Sequence, residues 1–221
     1  AKSRVWVINS GNANAATGEP GRHDAEQICA CVADQLAGVD ATQVQPFSTG
    51  VIGERLNVPL LQQAAQKSTV ELKPDGWLAA ATAIMTTDTV AKLVSRRVTL
   101  STGDVVITGM AKGSGMIKPD MATMLAFVAC NAKVASHLMP VLTKELADQS
   151  FNRISVDGDT STNDCFMLAA TGVSDTTEID SLGHKDFPAL LAGLSEVVQH
   201  LAQAIVRDGD CLLYTSDAAD D

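Results

Sequence analysis

The sequence predicts an α+β fold. Short apolar runs of strand type and helical apolar stripes alternate unevenly along it, and turns rich in Gly, Asn, Asp and Thr separate them. Composition agrees: 46% of the 221 residues are hydrophobic but only 4% are aromatic, so Ala, Val, Ile, Leu and Met must build the interior. That length supports one sizeable core or two small ones.

"RVWVIN" (4–9) reads as an apolar strand, followed by the polar loop "SGNANAATGEPG". A helix fits 23–37, with Ala25, Ile28, Cys29, Val32 and Leu36 on one face. "STGVIG" (48–53) reads as a tight Gly-bearing loop, and Pro59 suits the first turn of a helix through about Lys67. "DGWLAAATAIM" (75–85) predicts a buried, Ala-rich helix that ends at "TTDT". Strands are expected over 104–111 and 124–129, and a helix over 136–149. "ISVDGDTSTND" (154–164) reads as strand then polar loop, and "CFMLAAT" as strand again. The helix over 187–206 carries Leu190, Leu191, Leu194, Val197, Val198, Leu201 and Ile205. The pattern suits layered sheets covered by helices better than a regular βαβ series.

A net charge of −10 argues against nucleic acid or an anionic membrane as partner. No continuous apolar run reaches spanning length, and no signal-peptide pattern opens the chain. An anionic substrate stays compatible with this charge if its pocket has its own Lys or helix N-terminus. Cys29, Cys31, Cys130, Cys165 and Cys211 form no CxxC pair, and His23, His137, His184 and His200 are scattered. The expectation is reduced thiols in a cytoplasmic protein, with no metal site.

The polar loops carry the chemistry. "GMAKGSG" (109–115) fails the phosphate-loop pattern, because no Lys-Ser/Thr follows the second glycine at the required spacing. "DGDTSTND" (157–164) has calcium-loop acidic spacing without the closing glutamate or flanking helices. Taken singly, each loop reads as turn chemistry. Four such loops, each at the end of an apolar segment, point to a shared polar site.

"AKGSGMIKPDMATML" (111–125) sets one hydroxyl, Thr123, directly after a Gly-rich turn. A threonine hydroxyl needs a base to act as a nucleophile, and its own α-amine, with a pKa near 8, would serve. That amine exists only if the Ala122–Thr123 bond is cut, by attack of Thr123 Oγ on the Ala122 carbonyl, an N→O acyl shift and hydrolysis of the ester. The other reading is a β-branched residue that opens a strand and needs no chemistry.

"NSGNANAATG" (9–18), "STGVIG" (48–53), "IMTTDT" (84–89), "MAKGSGMIKPDMATML" (110–125) and "SVDGDTSTND" (155–164) occur in this order. In this the chain resembles the ornithine acetyltransferase family, the glutamate N-acetyltransferases/amino-acid acetyltransferases of arginine biosynthesis, over residues 1–210. The resemblance implies a layered αββα-type sandwich like that of N-terminal nucleophile hydrolases, here incomplete at both ends. It implies a precursor that cuts itself at Ala122–Thr123, so that 1–122 belongs to an α chain and 123–210 opens a β chain. It makes Thr123 the nucleophile, and Thr49 and Gly50 an oxyanion pair of one hydroxyl and one backbone N–H. Thr86, Lys112 and Thr123 match substrate-binding positions, and Lys112 would hold the new amine's pKa down by like-charge repulsion. Asn9, Asn12, Asn14, Asp157, Asp159 and Asn163 fall in motifs near the pocket, without assigned roles.

The implied reaction is ping-pong. Thr123 takes the acetyl group of N2-acetyl-L-ornithine, and the amine of L-glutamate then removes it. No cofactor is required, and the resemblance leaves acetyl-CoA open as a second donor. It also implies an α2β2 assembly of the full-length enzyme. Two competing readings are a related N-terminal-nucleophile aminopeptidase or amidohydrolase, and an inactive small-molecule-binding fragment. "CLLYTSDAADD" (211–221) departs from the family pattern and resembles the translation of a sequencing-library adaptor. The family has a substrate-binding glutamate after "RDG", where this chain has Asp210. The expectation is therefore a junction artefact at Asp210, a gene that continues past it, and no transferase activity in the chain as it stands.

Overall fold

A computed structural model describes residues 3–115, 117, 124–157 and 161–209. The chain folds as two units, Ala1–Thr86 and Thr87–Asp221.

In the first unit, β1 (Val5–Asn12) and β2 (Val44–Val51) pair in parallel, from Val5 opposite Val44 to Gly11 opposite Gly50. A parallel pair needs a crossover, and α1 (Gly18–Asp34) supplies it. This helix starts five residues before its predicted position, with Glu19 and Pro20 in its first turn, where neither an acidic group nor a missing N–H is a penalty. Its Cys29, Val32 and Ala33 bury against Val44 of β2 and Ala65 of α2 (Val58–Val70). Pro59 opens α2 as expected, and the Asn57 side chain accepts from Leu60 N at 3.2 Å. The buried carboxylate of Asp24 on α1 takes both Nε and Nη2 of Arg55, each at 2.5 Å, which fixes the segment before α2.

Two expectations fail in this unit. "STGVIG" is not a tight loop: Ser48–Val51 complete β2, because the chain stays extended while it pairs with β1. The Ala-rich helix is the shorter α3 (Trp77–Ala83), and only its Ala81 is buried. Leu78 on the same helix is exposed. Small side chains permit burial but do not compel it.

The second unit carries a four-stranded sheet in the order β3-β4-β5-β6. The edge strand β3 (Lys92–Leu100) was not expected. Its alternating inward positions, Lys92, Val94 and Leu100, are masked by the Arg96-Arg97 pair and by a lysine on the buried face. β3 and β4 (Gly103–Lys112) form an antiparallel hairpin, and β4 and β5 (Leu125–Cys130) are also antiparallel. β5 and β6 (Cys165–Ala170) are parallel, with α4 (Met139–Gln149) in the connection. The central β5, "LAFVAC", is a near-continuous buried run, as an interior strand should be. Residues 154–156 form no strand; a short 3-10 turn at Phe151–Arg153 leads into a polar loop.

α5 (Phe187–Arg207) lies on β3 and β4 and packs beside α4. Its Leu190, Leu194, Val197, Val198, Leu201 and Ile205 belong to the same buried core as Val105, Ile107, Val128 and Leu142. The helix is long and apolar enough to cross a membrane by composition, but this stripe is spent on the sheet. Gly193 permits the close approach: a Cβ there would stand 2.3 Å from Val98 Cγ2. Asp186 ties the start of α5 to the β3–β4 turn, accepting from Ser101 N at 2.8 Å and Ser101 Oγ at 2.7 Å. Each unit thus holds a sheet with helices on it, and the α+β class is borne out.

Candidate active site

The first unit presents its polar groups where β1 and β2 end. Ligands of parallel sheets sit at such carboxyl ends. Thr49 is buried, and Gly50 has φ of 130°. A Cβ on Gly50 would stand 2.2 Å from the carbonyl carbon of Gly11, so the two strands can meet here only through glycine. The asparagines of the first motif are structural around this point. Asn9 Nδ2 donates to Asn12 O at 2.7 Å, and Asn12 Nδ2 donates to Val51 O and Glu54 O, both at 3.2 Å. Asn14 N donates to Ser48 Oγ at 2.8 Å, while Thr17 Oγ1 donates to Asn14 Oδ1 at 2.7 Å. They bind the loop after β1 to the end of β2 and so hold Thr49 and Gly50 in place. Thr86 is exposed in the bend that ends this unit.

The second unit gathers buried charge at the end of β4. Lys112 is 1% exposed, with its Nζ 4.0 Å from Asp88 Oδ2. Asp88 Oδ1 accepts from Lys92 Nζ at 2.7 Å and from Gly113 N at 2.6 Å. Lys92 is bonded in turn to Asp208, at the end of α5, which also accepts from Thr89 N at 3.0 Å. Ser114, buried, exchanges a 2.6 Å hydrogen bond with Thr87 Oγ1. Burial pushes the Lys112 ammonium below its ordinary range; Asp88 and Asp164 pull it back up, but not by enough to offset burial and the repulsion from Lys92 together. Burial also works against the ionised form of Asp208, but its bonds from Lys92 and Thr89 outweigh that and hold its carboxyl low. "GMAKGSG" is therefore half strand, and its lysine faces carboxylates rather than a phosphate cradle.

The loop after α4 meets both flanks of the segment that carries the expected cut. Asp157 Oδ1 accepts from Ile117 N at 2.8 Å, and Val156 N donates to Ile117 O at 2.7 Å. Asp164 Oδ1 accepts from Met124 N at 2.9 Å, and Cys165 N donates to Met124 O at 3.0 Å. Ile117 and Met124 are buried, as is Asp164 Oδ2, which meets no donor among the described residues. Burial raises the Asp164 carboxyl to about 6, against the Met124 hydrogen bond and the Lys112 charge.

Ala122, Thr123, Asp159 and Asp210 lie outside the described residues. Among the expected residues, the structure brings Lys112 beside a carboxylate cluster, sets Thr49 next to Gly50, and puts Asp157 on Ile117. Sequence reasoning missed Asp88, Lys92, Asp208 and Asp164 as members of the polar site. Asp88, Asp164 and Asp208 stood inside quoted motifs ("IMTTDT", "SVDGDTSTND" and "RDG"), and that was the available signal. Among the described residues no group of His, Cys, Asp and Glu could hold a metal ion. The Cys130 and Cys165 thiols are both pushed up to about 11 by burial, which makes them poor nucleophiles.

The ArgJ family model matches residues 1–214. The chain belongs to the ArgJ family. It is 50% identical over 210 residues to the arginine biosynthesis bifunctional protein ArgJ of Psychrobacter arcticus, covering 95% of this chain and 51% of that protein. The ArgJ of Pseudomonas syringae pv. tomato is 50% identical over 207 residues, with 94% and 51% covered. The chain thus spans about half the length of the curated ArgJ relatives it matches. Among solved structures, ArgJ of Bacillus halodurans is 39% identical with a TM-score of 0.47, over 53% of this chain and 61% of that one. An ornithine acetyltransferase from Mycobacterium tuberculosis, solved with ornithine, is 34% identical with a TM-score of 0.42, over 52% and 61%.

Proposed function

We propose that this sequence supplies the self-cleaving, nucleophile-bearing part of an ArgJ acetyltransferase that moves an acetyl group from N2-acetyl-L-ornithine to L-glutamate. ArgJ membership over nearly the whole chain is the observation that carries this reading. The local structure supports it in two ways. Lys112 is buried and pairs with Leu125 across β4 and β5, and Leu125 follows the expected nucleophile by two residues in the sequence. Strand pairing also explains how a cut protein would stay whole. β4 precedes the cut and β5 follows it, yet they are neighbours in one sheet, and the two products would remain joined by that ladder.

In this mechanism Thr123 Oγ attacks the Ala122 carbonyl carbon, the Ala122–Thr123 amide becomes an ester, and water hydrolyses it. The products are an Ala122 carboxylate and a free Thr123 amine. That amine then takes the proton from Oγ as Oγ adds to the acetyl carbonyl of acetylornithine. The Thr49 hydroxyl and Gly50 N–H hold the oxyanion, ornithine leaves with the proton, and the amine of glutamate attacks the acetyl-threonyl ester. Lys112 and Thr86 bind substrate in this scheme, and its positive charge keeps the Thr123 amine's pKa low. Acetyl-CoA as a further donor, cytoplasmic residence and α2β2 assembly belong to the same proposal.

Thr123→Ala tests it by intact mass, on this chain and on the reading frame its locus encodes around it. The variant should stay a single chain and transfer no acetyl group from acetylornithine to glutamate. Normal processing of the variant would remove Thr123 from the role of nucleophile. Formation of acetate alone by the parent would make it a hydrolase.

A further inference from the structure

Lys92 and Lys112 are both buried in the second unit, and the reaction as written uses Lys112 alone. A buried ammonium needs a carboxylate to answer it. Lys92 has two, Asp88 and Asp208. Lys112 faces Asp88, whose Oδ2 stands 4.0 Å from its Nζ. That separation is too long for a hydrogen bond, so the contact is charge on charge.

The place of Asp88 is fixed from several sides. Its Oδ1 accepts from Gly113 N at 2.6 Å and from Lys92 Nζ at 2.7 Å. Thr87, the residue before it, shares a 2.6 Å hydrogen bond with Ser114, the residue after Gly113. These bonds zip residues 87–88 onto residues 113–114, which directly follow Lys112 at the end of β4. Lys92 is held in turn by Asp208 at the end of α5.

We propose that Asp88 is a positioning residue for Lys112: its buried carboxylate supplies the counter-charge that keeps this lysine an ammonium, and its bond to Gly113 N fixes the strand end that carries it. The inference rests on the reading above, in which Lys112 binds substrate. An acetylated amino acid offers such a site a carboxylate, which an ammonium attracts and a neutral amine does not. Three other influences bear on Lys112. Burial works against its charge, Lys92 on β3 repels it, and Asp164, in the loop before β6, attracts it less strongly than Asp88 does. Asp208 answers Lys92 and Thr89. On the strand opposite, Lys112 meets Leu125, which carries no charge.

The experiment follows the NMR signals of the lysine Cε carbons across pH in this chain, for wild type, D88N and D164N. The signal missing from K112M identifies Lys112. Its titration should fall by at least about one pH unit in D88N, and by less in D164N. The sign is diagnostic. If Asp88 only filled space, its loss would admit water, and Lys112 would titrate closer to the ordinary lysine value of about 10.4. An upward or unmoved Lys112 titration in D88N therefore overturns the proposal, and leaves the reading of the reaction in place. Coupling between two charges is reciprocal, so the Asp88 carboxyl should titrate higher in K112M than in wild type. If D88N does not fold, that measurement decides, and an unmoved Asp88 overturns the proposal. In the longer reading frame around this chain, D88N should raise KM for acetylornithine by up to about tenfold above the pH where Lys112 titrates, and leave it unchanged well below. That ratio is the one-unit fall read as affinity. A K112M enzyme with unchanged KM overturns the substrate role of Lys112, and the positioning role with it.

Discussion

Asp88 is the residue whose loss the structure prices most directly. Its carboxylate is fully buried and serves three cationic or donor groups: Lys92 Nζ at 2.7 Å, Gly113 N at 2.6 Å and Lys112 Nζ at 4.0 Å. Asp88→Ala removes a buried carboxylate that both buried lysines face, while Asp208 still holds Lys92. Removing one member of a buried pair costs about 3–5 kcal/mol, and a stranded backbone N–H adds about 1–3 kcal/mol. Because Lys92 keeps Asp208, we expect the lower part of the combined range, about 4 kcal/mol. Asp88→Asn retains an acceptor for Gly113 and should cost about half as much. Urea unfolding at pH 7, followed by far-ultraviolet circular dichroism, reads the effect as a fall of about 1–2 M in midpoint for the alanine variant. Added salt should not restore it, since screening reaches buried pairs poorly. A midpoint shift under about 0.3 M would refute the reasoning, because it would mean that water, not Asp88, already solvates the two ammonium groups.

Other outcomes follow from single sites. In the longer reading frame around this chain, Thr49→Ala should lower kcat for the proposed acetyl transfer by about ten- to a thousandfold with little change in acetylornithine affinity, if its hydroxyl holds the oxyanion; an unchanged kcat would leave it only a strand residue. Leu201→Ala should cost about 2–5 kcal/mol in the same urea assay, because its side chain on α5 is completely buried; a cost below about 1 kcal/mol would show that the helix is not seated on the sheet. Asp164 has its folded-state carboxyl raised from 3.8 to about 6, so the folded state holds that proton more tightly and loses stability as pH rises through this window. Asp164→Asn should therefore raise Tm relative to the parent above pH 6 and leave it unchanged below pH 4, and equal Tm gains at both pH values would contradict the assignment. Under native alkylation at pH 7.5, Cys31, partly exposed, should react before Cys130 and Cys165, as peptide mass mapping would show.

Much of the fold was legible because the second unit obeys simple periodicities. α5 carries its apolar stripe at helical spacing, and β4, β5 and β6 are apolar runs between turn residues. Two of the failures share one physical cause, a tertiary partner that local pattern does not reveal. β3 puts a lysine on its buried face because Asp88 and Asp208 wait for it there. β2 runs through "STG" because β1 pairs with it as far as Gly50, and a glycine in such a pairing looks, in sequence, like a turn. The helix over 75–85 shortened and surfaced because alanine commits neither face to a core.

The candidate site was legible as a set of motifs, but the division of labour within each motif was not. In "NSGNANAATG" the asparagines looked like pocket groups. Their amides are consumed in holding the ends of β1 and β2, and this leaves Thr49 and Gly50 as the groups that the motif serves. In "SVDGDTSTND" the acidic spacing looked like cation binding, yet Asp157 and Asp164 accept from backbone N–H groups. In "IMTTDT" the threonine at 86 drew attention, whereas the aspartate two positions on binds Gly113 and Lys92 and lies against Lys112. One rule covers all three. A short polar side chain inside a Gly-rich motif is as apt to satisfy backbone as to touch a ligand, and only the partner distinguishes the two. Gly113 lies 25 residues from Asp88, and Lys92 and Thr89 lie 116 and 119 from Asp208, beyond the reach of any local pattern. The buried charges that result are costly to the fold, and groups of that kind persist where chemistry requires a tuned pKa. Lys112 and Asp164, shifted in opposite directions on either side of Met124, are the pair in this chain that best fits such a requirement.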